Sequence, residues 1–569
     1  MATIIARPDR IRATNQRVEQ VAVAHKRLML LLILFSAALA MCVLKLAYFG
    51  VFAGGGRLGN GGADSLPARA DIVDRNGVPL ARTIDAYSIT VRKQRLMGDR
   101  AELARKLAAI FPDESESKFY QILTGPGKWA YIRRRALPDQ VAAVNALGEV
   151  AFEFPREKDR LYPQRTLAAH VLGFVSSSGG MGAERAFNER LTDPAQLGKP
   201  LALSIDARVQ GALESELYSG MVANTAKAAA GIVLDVRTGE VLAMASLPVF
   251  NPNKLERDNA KFCDETPRCN DVVQARYELG STFKPLSIGA AMDAGVVTSM
   301  SRRYDATAPL PIAGFKIKDD HPSGRWLNVP ETLVHSSNIV TARIADELGG
   351  QRLSAIYRQL EFDRRPSIEL GERATTLWPS SWGRVTTMTT AYGHGIAVTP
   401  LHLASGYAAL VNGGIWHPAT LRKLSENEIP QGRRVFSAAT SLRMRGLLRL
   451  IVAEGTGRNA DAKGFRVGGK TGTAEKPFEG GYAHHSLVTT FVAVFPMDSP
   501  RYVVLTMMDE PHGSAEFFGG RTAAYTSAPV AKRVIEKIGP MLGIFPDAKR
   551  DIDISDLTPL LWKAPGDTE

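Results

Sequence analysis

An apolar run near the N-terminus constrains this chain most, because it decides on which side of a membrane the rest can fold. Residues 28–44 carry no charge, and the apolar character resumes after Lys45 as far as Val51. A span from Leu28 to Val51 can cross a hydrocarbon core of about 30 Å if Lys45 reaches the interface. Residues 28–51 are therefore predicted to form a single transmembrane helix.

The residues that flank this run orient it. Residues 1–27 hold six basic and two acidic side chains, and such an excess of positive charge keeps that end of a span in the cytoplasm. A basic cytoplasmic tail is predicted over 1–27, with the chain after residue 51 on the outer side. Two interpretations compete with an anchor: a signal-peptidase site at 38–40, and a lipoprotein signal at Cys42. We favour an uncleaved anchor, because the apolar run continues to residue 44 and Met41 is too large to precede a lipidated cysteine.

The length and the charge of the chain limit the number of domains and the kinds of partner that it can have. A chain of 569 residues is long enough for more than one domain. Glycines crowd residues 52–68, which are predicted to form a flexible tether. Residues 69–195 mix short strand-like and helical stretches and precede the main domain. The formal charge is +12, yet no nucleic-acid motif with interleaved aromatic residues accompanies it, so no nucleic-acid partner is predicted.

Two groups of strands enclose a largely helical middle. Residues 231–246 have the pattern of a β-hairpin with Gly239 at its turn, and residues 487–495 and 502–508 form a second strand pair. Strands from both ends of a sequence that enclose helices favour one antiparallel sheet with helices packed on it, an α+β fold. This domain is predicted over 196–545.

The helical middle contains a candidate nucleophile, Ser281, followed by Lys284 and Pro285. A lysine three residues along a helix lies on the same face as the serine and can reach it as a base. Pro285 fits only the first turn of a helix, so the helix begins close to Ser281. Backbone N–H groups at such an N-terminus favour an oxyanion. The segment is therefore a candidate site of acyl transfer.

The pattern Ser-x-x-Lys is common by chance, and it also occurs at 115–118. The match at Ser281 is significant because two further motifs follow it in order. Ser336-Ser337-Asn338 matches Ser-x-Asn, and 470–473 has the sequence Lys-Thr-Gly-Thr. The three motifs in this order are the signature of penicillin-interacting serine enzymes.

With these motifs, the chain resembles the class B penicillin-binding proteins, which are peptidoglycan D,D-transpeptidases. The resemblance covers nearly everything after the tether. Residues 277–285 are similar to the nucleophile segment of the family, with Leu279 where proline is commoner. It implies a serine β-lactamase/transpeptidase-like domain, an antiparallel sheet flanked by helices, standing on an elongated pedestal domain over 69–195.

The resemblance also implies roles for the site residues. Ser281 would attack the carbonyl between the terminal D-alanines of a stem peptide, and Lys284 would be its base, with a lowered pKa. Ser336 would relay a proton, and Asn338 would position Lys284 and the substrate amide. Lys470 would help to lower the pKa of Lys284. The remaining residues lie on an edge strand: Thr471 and Thr473 would bind the terminal carboxylate, Gly472 would permit close backbone approach, and the N–H groups of Ser281 and Thr473 would form an oxyanion hole. No cofactor and no metal are expected.

Three blocks before residue 195 resemble the non-catalytic domain of the family. They are 69–77, 160–163 and 179–184, with Ala70 where glycine is usual. Salt bridges and turns that hold the pedestal together are the first interpretation of these blocks, and docking of partners is the second. The region 159–173 favours the division branch over the elongation branch.

Function, partners and location follow from the same resemblance. We expect a septal transpeptidase that cross-links stem peptides, is acylated by β-lactams, and works with a SEDS-type (FtsW-like) glycan polymerase and other divisome proteins. Its location would be the inner membrane, as a single-pass protein with the catalytic domain in the periplasm. The alternatives are an elongation-branch transpeptidase, a D,D-carboxypeptidase, and a β-lactam sensor or scaffold without activity. Intact Ser281 and Lys284 argue against an inactive scaffold.

Two segments have no role in this scheme. Cys263 and Cys269 are outside the predicted span, and they are either bridged or two unpaired thiols. Residues 258–270, which contain them, are longer than the family pattern suggests. Residues 546–569 are predicted to be a loosely packed C-terminal tail.

Overall fold

The computed structural model describes residues 22–23, 26–41, 67–176, 179–255, 263–478 and 481–562. The chain divides into two compact units, Met1–Asp64 and Ser65–Glu569. In the first unit, residues 26–41 are helical. Within the described residues, no helix has both the length and the apolar character needed to cross a membrane. The rest of the predicted span, most of the basic tail and residues 52–66 of the tether lie outside the described residues.

The second unit begins with a mixed region of strands and short helices that corresponds to the predicted pedestal. The long strand β2 is its centre, because β1, β3, β4 and β5 all pair with it antiparallel, while β8 adds to β1 in parallel. Its strands are β1 (Ile72–Val73), β2 (Pro79–Arg92), β3 (Trp129–Ala136), β4 (Phe152–Glu153), β5 (Arg156–Leu161), β6 (Phe174–Ser176), β7 (Gly179–Met181) and β8 (Leu201–Ala202). Its helices are α1 (Arg100–Ile110), α2 (Glu116–Thr124), α3 (Pro138–Asn145), α4 (Ala169–Leu172), α5 (Gly182–Ala186) and α6 (Asn188–Thr192).

A buried group of three charges joins the blocks that the sequence singled out in this region. Glu184 Oε2 lies 2.9 Å from Arg69 Nε, and its Oε1 lies 2.6 Å from Arg160 Nε. All three side chains are at most 2% exposed. Taking one partner away would leave an uncompensated charge in the interior, so the three residues depend on one another. The structural interpretation of these blocks is therefore supported.

The region that follows is larger and more helical. Its helices are α7 (Ala207–Ala223), α8 (Lys284–Asp293), α9 (Val329–Val334), α10 (Asn338–Leu348), α11 (Gly350–Gln359), α12 (Arg384–Thr390), α13 (Pro400–Val411), α14 (Ala438–Glu454) and α15 (Ser527–Met541). Its strands are β9 (Ala228–Asp235), β10 (Val241–Leu247), β11 (Tyr304–Asp305), β12 (Leu310–Ile312), β13 (Phe315–Ile317), β14 (Trp326–Leu327), β15 (Ile415–Trp416), β16 (Arg433–Arg434), β17 (Gly468–Phe478), β18 (Gly481–Phe495) and β19 (Tyr502–Asp509).

One antiparallel sheet organises this region, in the order β10-β9-β19-β18-β17. Strands from the two ends of the sequence meet where Ile232 pairs with Leu505, as the predicted α+β arrangement requires. Side chains alternate between two hydrophobic clusters, since Val233 and Val504 face α7 and α15 while Ile232 and Leu505 face the helical middle. The sheet is thus covered by helices on both faces. Strand β17, which carries Lys470, lies at the edge.

The C-terminal segment is packed against this region, so the prediction of a loosely packed tail is wrong as far as residue 562. Leu557 is 1% exposed, and Asp556 forms an ion pair with Arg443. The Trp562 N–H donates to Glu331 Oε1 at 3.0 Å. Sequence reasoning missed this contact because the segment is polar, while a few apolar side chains suffice to dock it.

The two outer cysteines are joined in the structure by a disulfide bond between Cys263 and Cys269. Cys269 is 5% exposed, and the bridge closes a short turn just upstream of the nucleophile segment. Of the two alternatives that the sequence left open, the structure has the bridged one.

The buried group Arg69–Glu184–Arg160 predicts a large loss of stability for Glu184→Gln. We expect the free energy of unfolding to fall by about 3 kcal/mol, because two arginines lose their counter-charge in the interior. Asp85→Asn is the matched control, since Asp85 pairs with Lys158 at an exposed position where its side chain is 72% accessible. Calorimetric unfolding of both variants measures the difference, and equal losses would contradict the prediction.

Candidate active site

Ser281 lies in a 3-10 turn, Gly280–Phe283, that leads directly into α8. Helix α8 begins at Lys284, with Pro285 in its first turn, where a missing N–H leaves no hydrogen bond unmade. Gly280 has φ +53°, a left-handed conformation that glycine adopts readily. The predicted helix start is therefore confirmed to within one turn, with Ser281 in the turn before the helix.

The nucleophile turn is docked on the edge strand β17 through glycines. A side chain at Gly472 would place its Cβ 2.5 Å from the Leu279 carbonyl oxygen, and a Cβ on Gly280 would lie 3.0 Å from the Thr473 carbonyl oxygen. Gly472 thus permits a close approach, but the group that approaches it is the chain's own nucleophile turn. This contact holds Ser281 beside Thr473.

Two buried lysines converge on the hydroxyl of Ser336. Lys284 Nζ donates to Ser336 Oγ at 3.1 Å and also to its carbonyl oxygen, and Lys470 Nζ donates to the same Oγ at 2.9 Å. Both lysine side chains are 0% exposed. Lys470 also donates to the Thr471 carbonyl at 3.0 Å. The structure thereby brings one residue of each of the three sequence motifs into a single hydrogen-bonded cluster.

Ser336 holds a backbone conformation that few residues other than glycine adopt, with φ +59°. It lies between α9 and α10, and this conformation presents both its carbonyl and its hydroxyl to Lys284. The next residue, Ser337, caps α10 by accepting a hydrogen bond from the Val340 N–H at 3.1 Å. Ser336 thus binds the two lysines, whereas Ser337 caps the N-terminus of α10.

Burial changes the titration of both lysines. It lowers the pKa of Lys284 to about 7, against the opposing pull of Asp319 and Asp320. The pKa of Lys470 is also lowered, first by burial and then by the charge of Lys284. A substantial fraction of Lys284 is therefore a neutral amine near pH 7, the form that can accept a proton.

Within the described residues, the Ser281 hydroxyl has no hydrogen-bond partner, and the side chain is partly exposed. The predicted contact between Ser281 and Lys284 is not formed, because the amine of Lys284 is bound to Ser336 instead. The candidate nucleophile is thus accessible, while the amine of its candidate base is bound to Ser336. For Lys284 to accept the proton of Ser281, its amine must therefore leave Ser336 and bind Ser281, or Ser336 must relay the proton.

Asn338 lies at the start of α10, and among the described residues its side chain is not hydrogen-bonded to Lys284. Its side-chain amide donates to the Lys318 carbonyl at 2.9 Å, and its backbone N–H donates to Asp319 Oδ1 at 2.6 Å. Asp319 also accepts the Ser337 hydroxyl at 2.7 Å. The buried carboxylate of Asp319 thus fixes the Ser-x-Asn turn through the Ser337 hydroxyl and the Asn338 N–H. Sequence reasoning missed Asp319, because the motif identifies the turn and not a partner 19 residues upstream.

The two threonines of the edge strand have protein partners in this structure. Thr471 Oγ1 lies 2.9 Å from Thr456 Oγ1, and Thr473 Oγ1 accepts the Ala523 N–H at 3.1 Å. Both hydroxyls are oriented by these contacts. Their predicted part in binding a carboxylate stays a prediction, as does the oxyanion hole at Ser281 and Thr473.

A histidine that the sequence did not single out lies beside the nucleophile turn. His394 Nδ1 is 3.5 Å from Glu278 Oε2, and Glu278 Oε1 accepts the Gly395 N–H at 3.0 Å. A Cβ on Gly393 would lie 2.2 Å from the Gly280 carbonyl oxygen, so this loop is tightly docked. No local pattern marks His394, because more than 100 residues separate it from Glu278.

Fold and site together define a serine enzyme of acyl transfer, with a nucleophile turn, two buried lysines and an edge strand. The family model of the penicillin binding protein transpeptidase domain matches residues 229–536. The family model of the penicillin-binding protein dimerisation domain matches residues 64–200. The chain belongs to the class B penicillin-binding proteins and, within them, to the FtsI-type D,D-transpeptidases, which confirms the predicted family and branch.

Relatives cover nearly the whole chain. The probable peptidoglycan D,D-transpeptidase FtsI of Caulobacter vibrioides is 40% identical over 84% of this chain and 82% of its own. The probable peptidoglycan D,D-transpeptidase PenA of Neisseria gonorrhoeae is 33% identical over 85% and 86%. Penicillin-binding protein 3 of Mycobacterium tuberculosis, complexed with aztreonam, has a TM-score of 0.66 at 23% identity, over 85% of this chain and 98% of that one. This last match shows the shared fold.

The lowered pKa of Lys284 predicts how acylation depends on pH. We expect the second-order rate constant for acylation by a penicillin to rise with pH through about 7 and then to level off, because only the neutral amine accepts a proton. Stopped-flow measurements from pH 5.5 to 8.5 test this. Lys284→Arg, which stays protonated, is expected to lose at least about 100-fold at every pH. A flat wild-type profile would contradict the assignment.

Ser336→Ala is expected to slow acylation by about 100-fold, because both lysines lose their common hydroxyl partner. Ser337→Ala is the matched control at the next position. It removes a helix cap and the hydrogen bond to Asp319, and is expected to cost about 2 kcal/mol of stability, with a smaller loss of acylation rate than Ser336→Ala. Similar rates for the two variants would show that the hydroxyl of Ser336 has no part in the chemistry.

Proposed function

We propose that this protein is a membrane-anchored peptidoglycan D,D-transpeptidase that cross-links stem peptides during septal wall synthesis. The observation that carries the proposal is the convergence of Lys284 and Lys470 on Ser336, beside an accessible Ser281 at a sheet edge. Each part has a task in acyl transfer: a nucleophile, a base with a pKa near neutrality, a proton relay and a strand for the substrate.

In the first half-reaction, Ser281 Oγ attacks the carbonyl carbon between the two terminal D-alanines of a donor peptide. Its proton passes to neutral Lys284, directly or through Ser336, and then to the amine of the leaving D-alanine. The N–H groups of Ser281 and Thr473 stabilise the oxyanion of the tetrahedral intermediate. The product is an ester between the donor peptide and Ser281.

In the second half-reaction, an amine of a neighbouring stem peptide attacks this ester and regenerates Ser281. Transfer to an amine is proposed over transfer to water because the sequence carries no motif for a hydrolytic carboxylate. The curated relatives named as peptidoglycan D,D-transpeptidases, including FtsI of Escherichia coli at 28% identity, agree with this choice.

The proposal also includes the location and the partners of the protein. The basic tail and residues 28–51 would anchor the chain in the inner membrane, with the catalytic domain in the periplasm, where stem peptides are found. A SEDS-type glycan polymerase and other divisome proteins would be its partners. The proposed acylation by β-lactams is supported by the aztreonam complex of the structurally similar mycobacterial protein.

Labelling with a fluorescent penicillin tests the nucleophile. We expect a covalent adduct on the wild-type protein and none on Ser281→Ala, because the ester requires the Ser281 oxygen. Ser115→Ala is the matched control, since Ser115 occupies the other Ser-x-x-Lys match and only caps α2. Persistent labelling of Ser281→Ala would refute the assignment.

The purified protein, supplied with lipid II and a glycan polymerase, is expected to make dimeric cross-linked muropeptides. Chromatography of the digested product separates these dimers from trimmed monomers. Ser281→Ala serves as the blank. Trimmed stem peptides without dimers would identify a carboxypeptidase, because water and not an amine would then resolve the ester.

A further inference from the structure

Residues 551–562, called the strap from here on, pack along α14 and end beside α9. Asp551 forms an ion pair with Arg449 of α14 at 2.8 Å. Leu557 is 1% exposed and packs on the same helix at Gly446, where a Cβ would lie 3.2 Å from Leu557 Cδ1. The strap is therefore a docked part of the fold, although neither the mechanism nor the sequence motifs use it.

The end of the strap binds the two residues that begin α9. Asn328 and Glu331 form a capping box there, in which each side chain accepts the backbone N–H of the other, at 2.9 and 3.0 Å. The Asn328 amide also donates to the Leu560 carbonyl at 2.6 Å, and Glu331 Oε1 accepts the Trp562 N–H at 3.0 Å. Both members of the box are at most 2% exposed. Loss of the strap would therefore remove a hydrogen bond from each and open the start of α9 to water.

Arg325 adds a third contact between the strap and α9. Its guanidinium carbon lies 4.9 Å from the centre of the Trp562 ring, an attractive arrangement for a cation over an indole. The guanidinium also donates to Glu331 Oε1 at 2.7 Å and lies 3.4 Å from His335 Nε2. His335 directly precedes Ser336. Arg325 thus links the strap to the residue next to Ser336.

The last turn of α9 holds both neighbours of Ser336. The His335 N–H donates to the Glu331 carbonyl at 2.9 Å. The Ser337 N–H donates to the Thr332 carbonyl, also at 2.9 Å. Ser336 itself has φ +59°, a conformation that persists in a residue with a side chain only where the surrounding structure fixes it. The position of α9 therefore sets where the Ser336 hydroxyl lies relative to the two buried lysines.

We propose that the strap is a positioning element for acyl transfer, which fixes α9 and Arg325 and so holds Ser336 in the conformation that brings its hydroxyl to both lysines. The inference rests on the proposed function and adds a requirement to it: the C-terminal segment must be docked for the proton of Ser281 to be transferred rapidly. The strap acts through α9, because its hydrogen bonds go to the capping box and its ion pairs to α14.

A positioning role predicts a specific change in the kinetics of acylation. A penicillin first binds along the edge strand, and Ser336 is needed only in the later step that forms the ester. Loosening the strap is therefore expected to lower the rate constant of acylation at saturating penicillin and to leave the half-saturating concentration nearly unchanged. A loss of stability alone would reduce the number of molecules that become labelled, and not the rate constant of those that are folded.

Two shortened chains test the strap. A chain that ends at Arg550 lacks it, and we expect acylation at saturating penicillin to slow about tenfold, with a change in half-saturating concentration below about twofold. The loss is smaller than that of Ser336→Ala because the hydroxyl is still present. A chain that ends at Trp562 keeps all the strap contacts given above and is the matched control, with the wild-type rate constant. Stopped-flow labelling with fluorescent penicillin measures both constants, and the end-point counts the folded molecules.

Point variants in the full-length chain separate positioning from stability. Trp562 is 53% exposed, so its replacement leaves the core intact. Trp562→Ala removes the ring beneath Arg325 and is expected to slow acylation about threefold, whereas Trp562→Phe keeps a ring there and recovers most of the rate. Glu184→Gln is the stability control, since it weakens the pedestal far from the strap and keeps the wild-type rate constant in its folded molecules.

Three outcomes would overturn the role of the strap. They are a wild-type rate constant in the chain that ends at Arg550, a higher half-saturating concentration without a slower acylation step, and an equal slowing in Glu184→Gln. If the chain that ends at Arg550 does not fold, the Trp562 variants decide, because equal rate constants for Trp562→Ala and Trp562→Phe would also overturn the role. All these outcomes leave the proposed function standing, since wild-type protein is still labelled at Ser281. Absence of that label in the wild-type protein would instead refute the proposed function itself.

Discussion

The burial of two lysine amines against one serine hydroxyl is the interaction on which the site depends. Lys284 and Lys470 are both fully buried and both donate to Ser336. Burial deprives both amines of hydration and lowers the pKa of each, and the charge of Lys284 lowers the pKa of Lys470 further, so the cluster favours a state with a neutral amine. The candidate base thereby has a pKa near neutral pH. Asp319 and Asp320 limit the shift, which keeps the pKa of Lys284 near 7 rather than far below it.

The rest of the catalytic region holds this cluster in place. Glycines at 280, 393 and 472 let three separate segments approach within van der Waals contact, because any side chain there would collide with a neighbouring carbonyl. The Ser-x-Asn turn is held by a buried carboxylate, Asp319, and by a strained Ser336 backbone. The C-terminal segment supports the helix before that turn, since Trp562 binds Glu331. The elements that position the chemistry thus come from at least five separate stretches of sequence.

Local pattern identified the parts of the site but only some of their contacts. The order of three short motifs singled out Ser281, Lys284, Ser336, Asn338 and Lys470 as candidate site residues, and Pro285 located the helix start. The strand alternation at 231–246 and 487–508 predicted the central sheet. The Asn338 amide donates to the Lys318 carbonyl and is not hydrogen-bonded to Lys284, and the backbone that closely approaches Gly472 is that of Leu279. The tail was misjudged, because docking by a few apolar residues leaves no periodic signal.

The sequence by itself determined the class of chemistry, the α+β fold and the residues of the three motifs, because these depend on residue type and on spacing along the chain. Only the tertiary structure decided that the amine of Lys284 rests on Ser336, that Asp319 and His394 stand beside the site, and that the C-terminal segment binds the capping box of α9. Such contacts join segments tens to hundreds of residues apart. Their geometry follows from how the helices pack on both faces of the sheet, which no local stretch of sequence specifies.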